Sequence, residues 1–174
     1  VLEKIYWTAD GWPYFKNDAS YNRKNESLDF TDTFTGKTLN PLWQWRVTQK
    51  IKFSTGEKGL CLYASHENKD LGSLLVQPIK ALNFTLEATV GLKKDPAAAG
   101  IAIIGGANNG FGAPLAGIGI SATKEKINVW KTINGETTVL SEVENLNGEQ
   151  SDIRMMVSDG YKLVFSYKSS DGKW

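Results

Sequence analysis

The amino-acid sequence predicts an all-β protein, an antiparallel β-sandwich of the jelly-roll type, on three observations. Apolar and polar residues alternate with period two along much of the chain. No helical period persists for three turns. Glycine-bearing turn signals recur at short intervals between the alternating runs.

Taken in chain order, the first break is Lys16 to Glu26. It is polar, lacks periodicity and carries no buried-type residue except Tyr21, so it is expected to be a linker between residues 1–15 and 27–174. Gly56 and Gly59 bracket a turn. From Leu82 to Leu92, Leu82, Phe84, Leu86, Ala88, Val90 and Leu92 fall on one face, and Asn83, Thr85, Glu87 and Thr89 on the other. That is a strand with one buried and one wet face. Segments 99–104 and 115–122 are nearly all apolar or glycine, as expected of central strands covered on both faces, and Gly105 to Gly112 forms a flexible loop between them. Asn134-Gly135 tolerates the positive φ values of a type I′ hairpin turn, and Asp159-Gly160 and Asp171-Gly172 repeat the signal. Ile153, Met155 and Val157 oppose Asp152, Arg154 and Ser158, and Leu163, Phe165 and Tyr167 oppose Lys162, Ser166 and Lys168. About ten to twelve strands are expected from residue 27 onward.

Composition narrows the classes of function. The 174 residues suffice for one well-packed domain, and a net charge of +1 offers no electrostatic reason for a nucleic-acid or membrane partner. The single Cys61 excludes an internal disulfide framework. No apolar run approaches the roughly 20 residues of a membrane span. Val1 opens the chain without an initiator Met or a signal-peptide pattern, and Ser169-Ser-Asp-Gly-Lys-Trp174 looks like a turn leading into another strand, so an internal fragment is expected.

Two motifs carry a resemblance. Trp7-Thr-Ala-Asp-Gly-Trp-Pro-Tyr14 resembles the closing segment of the five-bladed propeller of glycoside hydrolase family 43. Phe30-Thr-Asp-Thr-Phe34 with Leu42-Trp-Gln-Trp45 is similar to the first strands of that family's C-terminal concanavalin-like sandwich. The resemblance implies a propeller remnant over 1–15, a linker over 16–26 and an accessory sandwich over 27–174. It also implies a secreted or periplasmic bacterial parent that cleaves xylosides, arabinofuranosides or arabinans by inversion, with carboxyl groups about 6.5–9.5 Å apart. In the family those carboxylates stand in the propeller, and none of its catalytic motifs occurs here. No catalytic residue is therefore carried over, and the missing propeller and a cell-wall oligosaccharide or polysaccharide are the implied partners.

Candidate binding residues are exposed aromatics with polar neighbours. Alternation puts Trp43, Trp45 and Val47 on an apolar face, expected to be core, and leaves Gln44 and Arg46 outward to meet a sugar, the propeller or solvent. Trp130, with Asn128 and Thr132, stands opposite Ile127, Val129 and Ile133. It suits either stacking on a pyranose or a covered structural position, and Tyr63, opposite Leu60, Leu62 and Ala64, poses the same choice. In the Gly105–Gly112 loop, Asn108, Asn109 and Phe111 either reach toward the catalytic domain or tuck under the loop. His66 with Glu67 and Asp70 fits a surface loop better than a metal site. No cofactor is expected; a structural Ca²⁺ would draw on Asp29 and Asp32.

Three functional classes follow: an accessory sandwich of a family 43 glycosidase, an independent carbohydrate-binding module or lectin, and a concanavalin-like endoglucanase. The propeller-like tail disfavours the second. The third would show Glu-x-Asp-x-x-Glu on one strand, and Glu142-Val-Glu-Asn-Leu-Asn147 does not match it.

Overall fold

The computed structural model describes residues 5–16, 27–45, 51–63, 71–92, 98–105 and 116–174. The chain divides into two compact units, Val1–Thr31 and Asp32–Trp174.

The first unit contains one hairpin, β1 (Ile5–Trp7) paired antiparallel with β2 (Pro13–Phe15). Its loop is closed by its own hydrogen bonds. The Thr8 amide donates to the Trp12 carbonyl at 2.9 Å, and the Trp12 amide returns a bond to Thr8 Oγ1 at 2.8 Å. Gly11 supplies the positive φ of 88° that the reversal needs. The Tyr6 and Tyr14 rings pack at 5.7 Å across the pair.

The second unit is all antiparallel. Its strands are β3 (Phe53–Gly56), β4 (Gly59–Leu62), β5 (Phe84–Gly91), β6 (Ala99–Gly105), β7 (Ala116–Ala122), β8 (Lys126–Ile133), β9 (Glu136–Glu144), β10 (Gln150–Ser158) and β11 (Lys162–Tyr167). They form a four-stranded sheet in the order β6-β7-β8-β9, a three-stranded sheet β11-β10-β5 and the hairpin β3-β4. Ile120, Ala122 and Ile127 from the larger sheet and Ile153 from the smaller one make the buried cluster, with Ala88, Val90, Ile101, Val129, Phe165 and Tyr167 packed around it. Two sheets thus share one apolar layer, which is the sandwich that period-two alternation requires.

The turns follow their chemistry. Asn134 and Gly135 have φ of 52° and 81°, and Asp159 and Gly160 have 56° and 76°, the paired positive values of a type I′ turn. At Asp171-Gly172 only Gly172 is positive, at 81°, and its amide donates to the Ser169 carbonyl. The motif therefore builds a different turn from the other two.

Three expectations need correction. Leu82 is 70% exposed and Leu86 37%, so the buried face of the 82–92 run reduces to Phe84, Ala88, Val90 and Leu92. Trp45 is 46% exposed rather than core. The described residues of the two expected first strands hold a single bridge, Gln44 to Val76, and an isolated bridge does not impose the sidedness of a continuous ladder.

Asn145 holds the passage from the larger sheet to the smaller. It is 6% exposed, and its Nδ2 donates to the carbonyls of Thr123 and Gly148 at 2.7 and 3.0 Å. Its Oδ1 accepts the buried Ser151 hydroxyl at 3.1 Å and the Asn147 amide at 3.2 Å. Replacing Asn145 with Ala strands all four groups, and urea unfolding should show a loss of about 2–3 kcal/mol, the cost of leaving buried polar groups unpaired. A midpoint unchanged from the parent would show that water replaces the amide without penalty.

Candidate functional site

The unbroken register between β7 and β8 decides where the sequence candidates lie. Ile120 pairs with Val129 and Ala122 with Ile127 on the core face. Asn128, Trp130 and Thr132 therefore share the opposite face, across from Ser121, Gly119 and Gly117. On the other side Trp130 faces Val139, and the pairing slips by one residue, leaving Leu140 as a bulge on β9.

Glycine floors this face. A Cβ at Gly100 would lie 2.2 Å from the Ile120 carbonyl oxygen, and one at Gly119 would lie 2.5 Å from that of Ile101. Neighbouring strands close up here because no side chain separates them. A Cβ at Gly117 would meet Leu71 Cδ1 at 3.2 Å, so Leu71 lies against the same face. Trp130 stands half-buried over this floor.

The polar flank expected around Trp130 turns inward. Thr132 is 2% exposed and shares a 2.7 Å hydrogen bond with the Thr137 hydroxyl. Asn128 Oδ1 is shut off from solvent and has no hydrogen-bond partner, as is Gln77 Nε2. The wet polar face read from alternation is thus corrected: glycines and small residues let other parts of the unit cover it. Ile133, placed on the apolar side, is 54% exposed because it lies at the end of its strand.

Tyr63 is 45% exposed just beyond β4. Its amide donates to the Lys52 carbonyl at 2.9 Å, its carbonyl accepts the Ser73 hydroxyl at 2.6 Å, and Lys52 Nζ stands 5.0 Å from its ring. Gln44 is exposed at its bridge to Val76. Trp130, Tyr63 and Gln44 thus sit on three separate elements. Arg46, Asn108, Asn109 and Phe111, and likewise His66, Glu67 and Asp70, lie outside the described residues.

Both oxygens of Asp32 are committed to the protein. Oδ1 accepts the Phe34 amide and Oδ2 the Trp43 indole N–H, each at 2.8 Å. The Phe34 and Trp43 rings pack at 5.5 Å, and Phe34 adopts a left-handed φ of 56°, costly for a bulky residue. Asp29, in the first unit, accepts the Ser27 hydroxyl at 3.0 Å. Among the described residues no three His, Cys, Asp or Glu side chains are grouped to hold a metal ion. Glu142, from the run compared with endoglucanases, forms an exposed 2.6 Å ion pair with Lys126, and that carboxylate raises the Lys126 pKa.

These features match a known domain. The protein-family model described as the β-xylosidase C-terminal concanavalin A-like domain fits residues 31–174. The chain belongs to this family. A search of curated proteins found no match. As a concanavalin A-like domain of the family 43 β-xylosidases, the chain has the all-β class and the relationship that Phe30–Phe34 and Leu42–Trp45 indicated. In this concanavalin A-like domain Trp43 acts inside a cluster, as the indole that Asp32 pins. Sequence reading missed that cluster because Asp32 lies 11 residues from Trp43 and no local period joins them.

Gly119→Ala should lower stability by about 1–3 kcal/mol through overpacking. Gly105→Ala, where an added Cβ meets nothing within 4 Å and φ is not positive, should be neutral or slightly stabilising. Urea titration of both variants checks the contrast. Asp32→Ala should cost about 1–3 kcal/mol, because it strands the Trp43 N–H, and should weaken the near-UV circular dichroism of the Trp43–Phe34 pair.

Proposed function

We infer that this concanavalin A-like domain is a non-catalytic accessory module of a plant cell-wall polysaccharide-degrading glycosidase of the xylosidase or arabinofuranosidase class, and that it works attached to a catalytic propeller. The exposed aromatic surface of the β1-β2 hairpin carries this reading. Trp7, Trp12 and Phe15 are 67%, 70% and 65% exposed, and Ile5 and Tyr14 add 50% and 43%. A two-stranded hairpin is marginal on its own in water. Among the described residues neither of its strands has a second strand partner. Its loop is nevertheless closed by hydrogen bonds between Thr8, Gly11 and Trp12, and Thr8 also holds the Asp10 carboxyl below the usual carboxylate range by a hydrogen bond. A well-formed hairpin with so much uncovered aromatic area suits a sheet completed by a neighbouring domain.

The family relationship supports a glycosidase parent, and the missing propeller motifs support placing the chemistry outside this chain. The parent's setting is a secreted or periplasmic bacterial enzyme. Tyr63 and Trp130 remain the residues of choice for any contact that the sandwich makes with a sugar held by the catalytic domain.

The purified chain should release neither xylose nor arabinose from chromogenic glycosides; measurable turnover would overturn the non-catalytic assignment. Amides of Ile5–Phe15 should exchange with deuterium quickly in this chain and at least roughly 100-fold more slowly in an enzyme that includes the propeller, as expected when a frayed element is packed. Equally fast exchange in both would remove the docking role.

A further inference from the structure

Hydrogen bonding inside the β1-β2 hairpin decides which of its backbone groups point outward. The loop Ala9-Asp10-Gly11 is closed by the Thr8 amide on the Trp12 carbonyl at 2.9 Å and by the Gly11 amide on the Thr8 carbonyl at 3.0 Å. Thr8 and Trp12 are therefore a hydrogen-bonded pair. Along an antiparallel ladder such pairs alternate with pairs whose N–H and C=O groups point away from each other. The register runs Trp7↔Pro13, Tyr6↔Tyr14, Ile5↔Phe15. Tyr6 and Tyr14 thus bond across the hairpin. Trp7 and Ile5 turn their backbone groups to the outer edge of β1, and Pro13 and Phe15 turn theirs to the outer edge of β2.

The two edges are chemically unequal. On β1, Ile5 and Trp7 each present a donor and an acceptor, an unbroken set for a further strand. On β2, Phe15 presents both, but at Pro13 a ring stands where the donor would be. Within the hairpin that position costs nothing, because the Trp7↔Pro13 pair exchanges no bond. Toward a third strand it removes a ladder bond, which is why proline in sheets is confined to edges. The side chains add a second asymmetry. Residues directly opposite share a face, so Ile5, Trp7, Pro13 and Phe15 form one wholly apolar face, all of it exposed, and the Tyr6–Tyr14 ring pair forms the other.

We propose that β1, and not β2, is the strand by which this hairpin joins a larger sheet. The outward N–H and C=O groups of Ile5 and Trp7 form a ladder with an edge strand of the catalytic domain, whose apolar side chains continue the Ile5–Trp7 face, and Pro13 ends the sheet at β2. This inference rests on the docking role given to the hairpin above and adds which edge is used and what chemistry meets it.

Residue-resolved hydrogen exchange of the 174-residue chain and of an enzyme that includes the catalytic domain tests the choice of edge. In the chain alone the amides of Ile5, Trp7 and Phe15 should all exchange fast. In the enzyme those of Ile5 and Trp7 should be protected at least about tenfold more than that of Phe15, since only the first two are bonded. Trp7→Pro removes an outward donor without touching the hairpin's own bonds, and Trp7→Ala removes the same ring but keeps the donor. In the enzyme, Tyr6 and Tyr14 should exchange roughly fivefold or more faster in Trp7→Pro than in Trp7→Ala, the effect of one backbone bond left unmade, whereas Phe15→Pro and Phe15→Ala should not differ. Phe15 protected as well as or better than Ile5 and Trp7, or a Phe15→Pro effect as large as that of Trp7→Pro, would overturn the choice of edge and leave the docking role standing. Slow exchange of Ile5 and Trp7 in the chain alone would also overturn it, by showing that this chain pairs the edge itself. Fast exchange throughout the hairpin in both proteins, Tyr6 and Tyr14 included, would remove the docking role and this inference with it.

Discussion

The buried amide of Asn145 is the constraint on which the sandwich depends. A sandwich needs its chain to leave one sheet and enter the other without stranding backbone groups, and the crossing from β9 to β10 is such a place. Asn145 answers with both ends of its side chain, donating to the Thr123 and Gly148 carbonyls and accepting from Ser151 and Asn147. Its own amide donates to the Glu125 carbonyl at 2.7 Å. One residue therefore joins the β7-β8 turn, the crossover and the first residues of β10. The apolar layer just beyond it, Ile120, Ala122, Ile127 and Ile153, is then brought into register rather than merely collapsed. Hydrophobic area supplies most of the driving force for this fold, but it does not choose which residues oppose one another; a fully satisfied polar hub does.

The larger sheet has two very different faces as a result of glycine placement. On the core side branched residues interdigitate with the second sheet. On the other side Gly100, Gly117 and Gly119 leave backbone with no Cβ to spare, and the strands close up. A face of that kind accepts covering chain readily and presents few outward side chains. This explains why Thr132 is buried and the Asn128 carbonyl hidden, although the local pattern gives both a solvent-facing place. The β9 end of the sheet is handled differently. Among the described residues β9 is an edge, every one of its residues is exposed, and it carries glutamates at 136, 142 and 144 as well as the Leu140 bulge. Charge and a bulge are what discourage another strand from adding there.

How much of this was legible in the sequence depends on the range of the interaction concerned. Turns are local, so Asn134-Gly135 and Asp159-Gly160 declared themselves, as did the alternating burial of Ile153, Met155 and Val157. Sidedness fails where no ladder enforces it. Trp45 follows a single bridge, and Leu82 precedes the strand, serving to accept the Gly160 amide rather than to fill the core. Contacts between distant residues left no local trace at all. The Asp32–Trp43 bond, the Asn145 hub and the placing of Trp174 over Arg154 join segments that only the fold brings together. The Trp130 site was half legible: its strand and face were correctly read, but what covers that face is a property of Gly117 and Leu71, which alternation within one strand does not see.

The distribution of aromatic rings follows from the same division. Rings that serve the fold have their polar atoms paired to the protein, as Trp43 does through Asp32. Rings of the β1-β2 hairpin are exposed on a segment too small to be stable alone, and such area is a liability unless a neighbouring sheet covers it.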